Sequence, residues 1–276
     1  MALPTDVIPT SPEPSEWVTK SVYTTLFSDP ISGKRQRQTR RIGDHVWELM
    51  LRYNPMYRSE FAELAGFLEL QQGTHQIFGA LIPNLSDQTG LAPGNLLNVN
   101  GHSKVYRVVS VGNAVSPELF TAFSTVSSKR YSNAISVTNG VPIAVYFDQQ
   151  AVSGAFPTVS LRDSTSGGIL ISDSFTTRTG KQLHILTPTS TDAAAYVEIS
   201  AVNSTVSSMS IHQGVQISAT TMTLMPTPVS SVENQYLMPA PACVMACSMS
   251  NDVQQVRHGS DRFVHIEVDL IERVYT

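Results

Sequence analysis

PTVSLRDSTSGGILISDSFTTRTGKQLHIL, residues 157–186, decides the fold. Its runs TVSLRDS, GGILISDSFTT and KQLHILTP (the last reaching residue 188) are short and of alternating type. Gly, Ser and Thr separate them, and none carries the i, i+3, i+4 spacing of a helix. The same grammar extends outward, to PIAVYFDQQA (142–151), AYVEISAV (195–202) and SMSIHQGVQIS (208–218). Serine and threonine supply 36 of the 111 residues from 121 to 231, with few charges, as expected for the outer faces of an antiparallel sandwich.

Further out the pattern changes. RFVHIEVDLIERV (262–274) alternates Val264, Ile266, Val268 and Leu270 with His265, Glu267 and Asp269, which predicts a strand with one buried and one charged face. ACVMACSMS (242–250) predicts a second, and Met225–Pro241 is a Pro-rich return linker. Cys243 and Cys247 fall on one face of that strand, about 13 Å apart at strand rise, too far for a disulfide. They read as small apolar core residues. On the N-terminal side, WELMLRY (47–53) predicts a strand, PMYRSEFAELAGFLELQQG (55–73) the one helix, and Gln76–Pro83 another strand. Phe61, Leu64, Ala65 and Leu68 make the apolar stripe of that helix, Asn54-Pro55 its start, and Gly73 its left-handed stop. Trp47 is the expected anchor beneath it. Asn100-Gly101 between LLNV and KVYRVVSV signals a hairpin. Residues 1–33 read as an extended arm or irregular edge strands.

Composition bounds the function. The 276 residues are 41% hydrophobic and 14% charged, with a net charge of −4 and mean hydropathy of −0.03. That excludes a coiled coil, a disordered acidic tail and a basic nucleic-acid coat. No apolar run is long enough for a membrane-spanning helix, and MALPTDVIPTSPEPSEW has neither the basic nor the apolar region of a signal peptide, so a soluble chain outside the general secretory route is expected. Phosphate-loop, dinucleotide, nucleophile-elbow and zinc-protease motifs are absent, and the seven histidines are dispersed. The carboxylates of the sandwich region are Glu118, Asp148, Asp163, Asp173, Asp192, Glu198 and Glu233. They carry no spacing that specifies a glycosidase pair. The expectation is a protein that is not an enzyme and holds no metal or cofactor. The basic run Lys34, Arg35, Arg37, Arg40 and Arg41 lacks interleaved aromatics, which favours a solvated or partner-facing loop, with a phosphate-facing loop as the alternative.

One resemblance sharpens this. In SDPISGKRQRQTRRIGDHVWELMLRYNPMYRSEFAELAGFLELQQGTHQIFGALIP (28–83), the residues Gly33, Gly43, Trp47, Glu48, Pro55, Met56, Glu60, Phe67, Leu68, Gly73 and Phe78 occur in the order seen in distal tail proteins of tailed bacteriophages. GLAPGNLLNVNGHSKVYRVVSV (90–111) resembles the hairpin of that family, with Gly94-Asn95 where Gly-Asp is frequent, and the C-terminal strands resemble its closing pair. The resemblance covers about 28–112 and 237–274. Residues 120–232 depart from it and look like an inserted sandwich, similar to the jelly rolls of carbohydrate-binding modules. It implies a mainly β fold: a discontinuous core (1–115 and 233–276), a β-sandwich braced by one α-helix through Trp47, Pro55, Phe61, Leu64, Phe67, Leu68, Gly73 and Phe78, with the insert at 120–232. It further implies a homo-hexameric ring at the tail tip of the virion, assembled in the host cytoplasm. Partners would be the tail tube protein, the baseplate hub and the tail fibres or receptor-binding proteins, without membrane insertion or sequence-specific nucleic-acid binding. In the insert, Tyr131, Tyr146, Phe156 and Tyr196 are the candidate platforms for a host-surface glycan. The alternative is a receptor-binding or fibre-attachment adhesin of the virion surface.

Overall fold

The computed structural model describes residues 4, 6–23, 25–28, 36–39, 45–84, 92–98, 104–111, 119–120, 123–126, 129–152, 158–163, 167–174, 180–200, 204–216, 222–225, 236–237, 242–251, 256–258 and 263–273. It is mainly β, with one helix and several antiparallel sheets. The largest sheet draws strands from both halves of the chain, in the order Glu16–Tyr23, His45–Arg52, Phe263–Glu272, Ala242–Met249 and Phe78–Pro83. Every neighbouring pair runs antiparallel. Val256–His258 and Met56–Tyr57 add to Phe263–Glu272 and bring the sheet to seven strands.

Alternation explains which side of this sheet is dry. Leu49 lies opposite Leu270, Leu51 opposite Val268, Met245 opposite Ala80 and Cys243 opposite Ile82. All point to one face, where they join Trp47, Phe78, Cys247 and the helix residues Leu64, Phe67 and Leu68 in a single cluster. Phe67 meets Phe78 edge-on, ring centres 5.1 Å apart. The helix spans Arg58–Leu70, three residues later than its sequence start suggests. The reason is local: Met56 and Tyr57 pair with Val264 and Phe263, and the Glu60 carboxylate accepts the Tyr57 N–H at 2.9 Å. Pro55 is exposed, Phe61 is half-buried against the cluster, and Gly73 has φ +69°.

The strand Ala242–Met249 is buried on both faces. Cys243 and Cys247 face the helix side as free thiols, and burial, with the Glu272 charge adding to it, pushes both upward in pKa. Ala242 and Val244 face the other way, toward the inserted sandwich. Small side chains in this strand let layers approach from both directions.

Leu96–Asn98 and Val105–Val111 form the hairpin expected around Asn100-Gly101, although residues 99–103 lie outside the described residues. Two polar side chains fasten it. Glu272, almost without solvent exposure, accepts the N–H of Trp47 (3.1 Å) and of Val105 (3.0 Å) and pairs with Lys104 at 3.0 Å. Burial nonetheless raises its pKa, against the pull of Lys104 and those N–H groups. Asn98 lies flat against the edge of Ala242–Met249: its Nδ2 donates to the Val244 carbonyl and its Oδ1 accepts the Val244 N–H, both at 2.8 Å. The side chain supplies both bonds that a neighbouring strand would make there. Asn98→Ala is therefore expected to cost about 2 kcal/mol, by leaving two buried backbone groups unpaired. A urea midpoint unchanged within error would contradict this.

The insert is a sandwich. One sheet orders Phe123–Val126, Lys129–Ser132, Asp192–Ser200, Thr158–Arg162 and Ile169–Ser174, with Ile135–Val137 also on Asp192–Ser200. The other orders Gly180–Leu186, Ile143–Val152, Ser204–Gln213 and Leu119–Phe120. Val159, Leu161, Val197 and Ile199 from the first meet Val145, Phe147, Leu186 and Ile211 from the second. Met222–Met225, within the 120–232 span, pairs with the hairpin strand Val105–Val111. The outer face of the second sheet covers the large sheet, so Ala144 and Leu183 bury against Leu81, Ala242 and Val244.

Candidate functional site

The sandwich face turned away from the core is where the insert gathers its polar chemistry. Because Val159, Leu161, Val197 and Ile199 point inward, the period of two sends Ser160, Arg162, Tyr196 and Glu198 outward. Register places Glu198 between Tyr131 and Ser160, and Tyr196 opposite Arg162. Glu198 is 2% exposed at the centre of this face. The Tyr131 hydroxyl donates to its Oε2 at 2.7 Å, Lys129 Nζ lies 3.1 Å and Arg162 Nη2 3.2 Å from its Oε1, and Arg162 Nε is 2.7 Å from Oε2. Arg162 Nη1 donates to the Gly167 carbonyl at 3.0 Å, which holds the guanidinium in place.

Electrostatics follow from this geometry. Burial alone would raise the Glu198 pKa, but the bonds from Tyr131, Lys129 and Arg162 outweigh it and hold the carboxyl below its usual range. The same bond to Glu198, aided by burial, raises the Tyr131 phenol. Both Glu198 oxygens are engaged and the group is ionised at neutral pH. It cross-links three strands and is poorly suited to donate a proton.

The four glycan-platform residues part company. Tyr131 is 7% exposed with its hydroxyl committed to Glu198, so its ring is not open to a ligand. Tyr146 lies on the other sheet, half-buried in the seam against the core, where burial, with Asp148 and Glu13 adding, pushes its phenol up to about 12. Phe156 lies outside the described residues. Tyr196 is half-buried beside Arg162 on the outward face, with the exposed Ile169 opposite Arg162 on the next strand. Tyr196 is thus the platform residue whose setting leaves ring surface accessible.

Of the basic run, Arg37 belongs to the strand Gln36–Thr39, paired with Thr25–Ser28, while Lys34, Arg35, Arg40 and Arg41 lie outside the described residues. Trp47, Leu64, Phe67, Leu68 and Phe78 are buried in the helix-side cluster. Trp47 also donates its indole N–H to the Val105 carbonyl at 3.0 Å and carries the Arg107 guanidinium 4.6 Å above its ring. Sequence reasoning missed the Lys129–Tyr131–Arg162–Glu198 cluster. Its signal was there: charged side chains at the outward positions of strands whose outer faces otherwise carry Ser and Thr.

Among the described residues no group of three His, Cys, Asp or Glu side chains is placed to hold a metal, and no helix is long and apolar enough to cross a membrane. Within the sandwich, Gln149 is wholly buried and its amide has no partner among the described residues.

No family model and no curated protein matches the chain. Likeness to solved structures is slight. A chain from work on CBM4 structure and function is 9% identical, with 50% of this chain and 92% of that one covered and a TM-score of 0.24. The VP2 subviral particle of infectious bursal disease virus is 11% identical, with 99% and 83% covered and a TM-score of 0.18. Scores this low bear on neither function nor fold detail.

Proposed function

We propose that this chain is a structural virion protein of a tailed bacteriophage, a distal tail protein. It forms a ring joining the tail tube to the baseplate hub, anchors receptor-binding proteins, and carries its sandwich as a module for host-surface glycans. One observation carries the reading. The two stretches that resemble the family, 28–112 and 237–274, are far apart in sequence, yet their described strands and the helix build one unit. Of the residues that depart from the pattern, the described strands from 120 to 213 build the sandwich with its own core, while Met222–Met225 joins the hairpin strand Val105–Val111. A domain interrupted by an insertion produces this division.

The buried ionic chemistry supports a scaffold. Glu198 and Glu272 each fasten several strands, and neither is a free carboxylate facing a cleft. On the glycan side, support comes from Tyr196 beside Arg162 on the outward sheet: aromatic faces bind sugar rings through their apolar patches, and six copies around an axis would turn weak contacts into avidity.

The test is the mass and shape of the purified protein at high concentration, by light scattering and negative-stain microscopy, with purified tail tube protein as template. A six-fold ring with a central hole and peripheral knobs is the expected result. A compact trimer without a hole would replace this reading with the adhesin.

A further inference from the structure

Residues 6–15 touch both units of the chain. At one end the Gly79 N–H donates to the Asp6 carbonyl (2.7 Å), the Ile8 N–H donates to the Gly79 carbonyl (2.8 Å), and the Asp6 carboxylate accepts from Gln71 just past the helix at 3.3 Å. At the other end the Ser15 N–H and hydroxyl both donate to the Arg52 carbonyl, at 2.8 and 3.0 Å. Both ends are therefore tied to the large sheet. Between them the segment crosses onto the sandwich. There the Lys181 N–H donates to Thr10 Oγ1 at 2.6 Å, and the Lys181 ammonium pairs with the Glu13 carboxylate.

The point of crossing is shaped for this contact. Gly180 has φ +119°, and a Cβ built there would collide with Thr10 Oγ1 and stand 3.2 Å from the Ser11 nitrogen. Pro9, Thr10 and Pro14 are buried beneath or within the crossing. By contrast, the apolar seam between sandwich and sheet is thin. Its buried members are Leu81, Ala144, Leu183, Ala242 and Val244, two of them alanines, with half-buried Tyr146 and Ile185 and, from the same segment as Thr10, Val7 packed at its margin.

We infer that residues 6–15 are a strap that clasps the sandwich to the large sheet, with Thr10 on Gly180–Lys181 as its buckle. Displacing the strap loosens the seat of the sandwich without unfolding either unit. The ion pair at the buckle is exposed and contributes little, so the Thr10 bond and the bare face of Gly180 carry the hold. This device stands whether or not the chain is a tail protein.

The experiment uses the full chain with spin labels on Ala62→Cys, on the helix, and Ala193→Cys, on the sandwich. Both positions are exposed, and the native thiols are buried and unreactive. Pulsed electron resonance should give one narrow distance in the parent. Thr10→Ala and Gly180→Ala should each add a second, displaced population of about a tenth of the molecules. From a parent population of about one in a hundred, that is the roughly tenfold shift expected when Thr10→Ala removes one part-buried hydrogen bond, and the Cβ of Gly180→Ala displaces the same Thr10 hydroxyl by collision. Circular dichroism should stay unchanged. A distance distribution unaltered in a folded Thr10→Ala protein would overturn the inference. So would loss of structure in both units together, because the segment would then stabilise the whole fold rather than the seat.

Discussion

Trp47→Ala should lower the unfolding free energy by about 3–5 kcal/mol, the cost of a large cavity in a closed core. The side chain is 1% exposed and sits where three parts meet: the helix-side cluster, the Val105 carbonyl that receives its N–H, and the Arg107 guanidinium over its ring. Its own backbone N–H is one of the donors to Glu272, so a shift of the strand would also disturb that carboxylate. Urea unfolding followed by circular dichroism measures the loss, and the melting temperature should fall by on the order of 10 °C. Trp47→Phe keeps most of the volume but orphans the Val105 carbonyl, and should cost about 1–2 kcal/mol. If alanine cost less than phenylalanine, Trp47 would not be the anchor.

Acid should weaken the fold well above the usual carboxylate range, because of His212. This residue is fully buried, opposite Ala144 and Leu119, with Nε2 3.0 Å from the Ser210 hydroxyl and no partner for Nδ1 among the described residues. Burial lowers its pKa to about 4 from 6.5. Between those values the unfolded chain takes up a proton that the folded chain refuses. The stabilisation is thus complete above pH 6.5 and is lost as the pH falls toward 4, by about 3 kcal/mol in total. Glu198, held below its usual range, acts with the same sign at lower pH. Glu272, raised by burial, acts with the opposite sign, since its ionised form is the disfavoured one. The decisive comparison is therefore the slope of stability against pH in the parent and in His212→Gln. A variant as steep as the parent between pH 6.5 and 4 would sink the assignment.

Some of this architecture is legible in the residues alone and some is not, for physical reasons. Alternation depends only on neighbours two apart, so Val264, Ile266, Val268 and Leu270 announce their strand, and the runs from 142 to 213 announce theirs. The apolar stripe of the helix is equally local, yet its first turn is lost because Met56 and Tyr57 have a distant partner in Phe263 and Val264. Asn98 reads as an ordinary hairpin residue. Nothing near it in sequence says that it will meet Val244, 146 positions later. Tyr131 reads as a surface aromatic because its position on the outward face is local, whereas the Glu198 that absorbs its hydroxyl lies 67 residues away. The strap is the extreme case: Ser- and Pro-rich sequence reads as an extended arm or irregular edge strands, and only the folded sandwich supplies Lys181 and Gly180 to receive it.

The place of Phe263–Glu272 in the large sheet has a consequence for biosynthesis. That strand lies between His45–Arg52 and Ala242–Met249, so it joins the earliest-made part of the sheet to one of the latest. Until the ribosome has released residue 272, Leu49 and Leu51 on one side and Met249 on the other have no Leu270 or Val268 to close against. Until residues 242–272 are made, the nascent chain must carry the pair Glu16–Tyr23 and His45–Arg52 with an open apolar edge, and Phe78–Pro83 without its partner Ala242–Met249, a state prone to mispairing with other chains. The sandwich, whose strands are consecutive from residue 119 to 213, is free of that delay and is the part able to form on the ribosome. Production of this protein at high level should accordingly be limited by how fast the large sheet closes, and slower growth at low temperature is the condition that favours it.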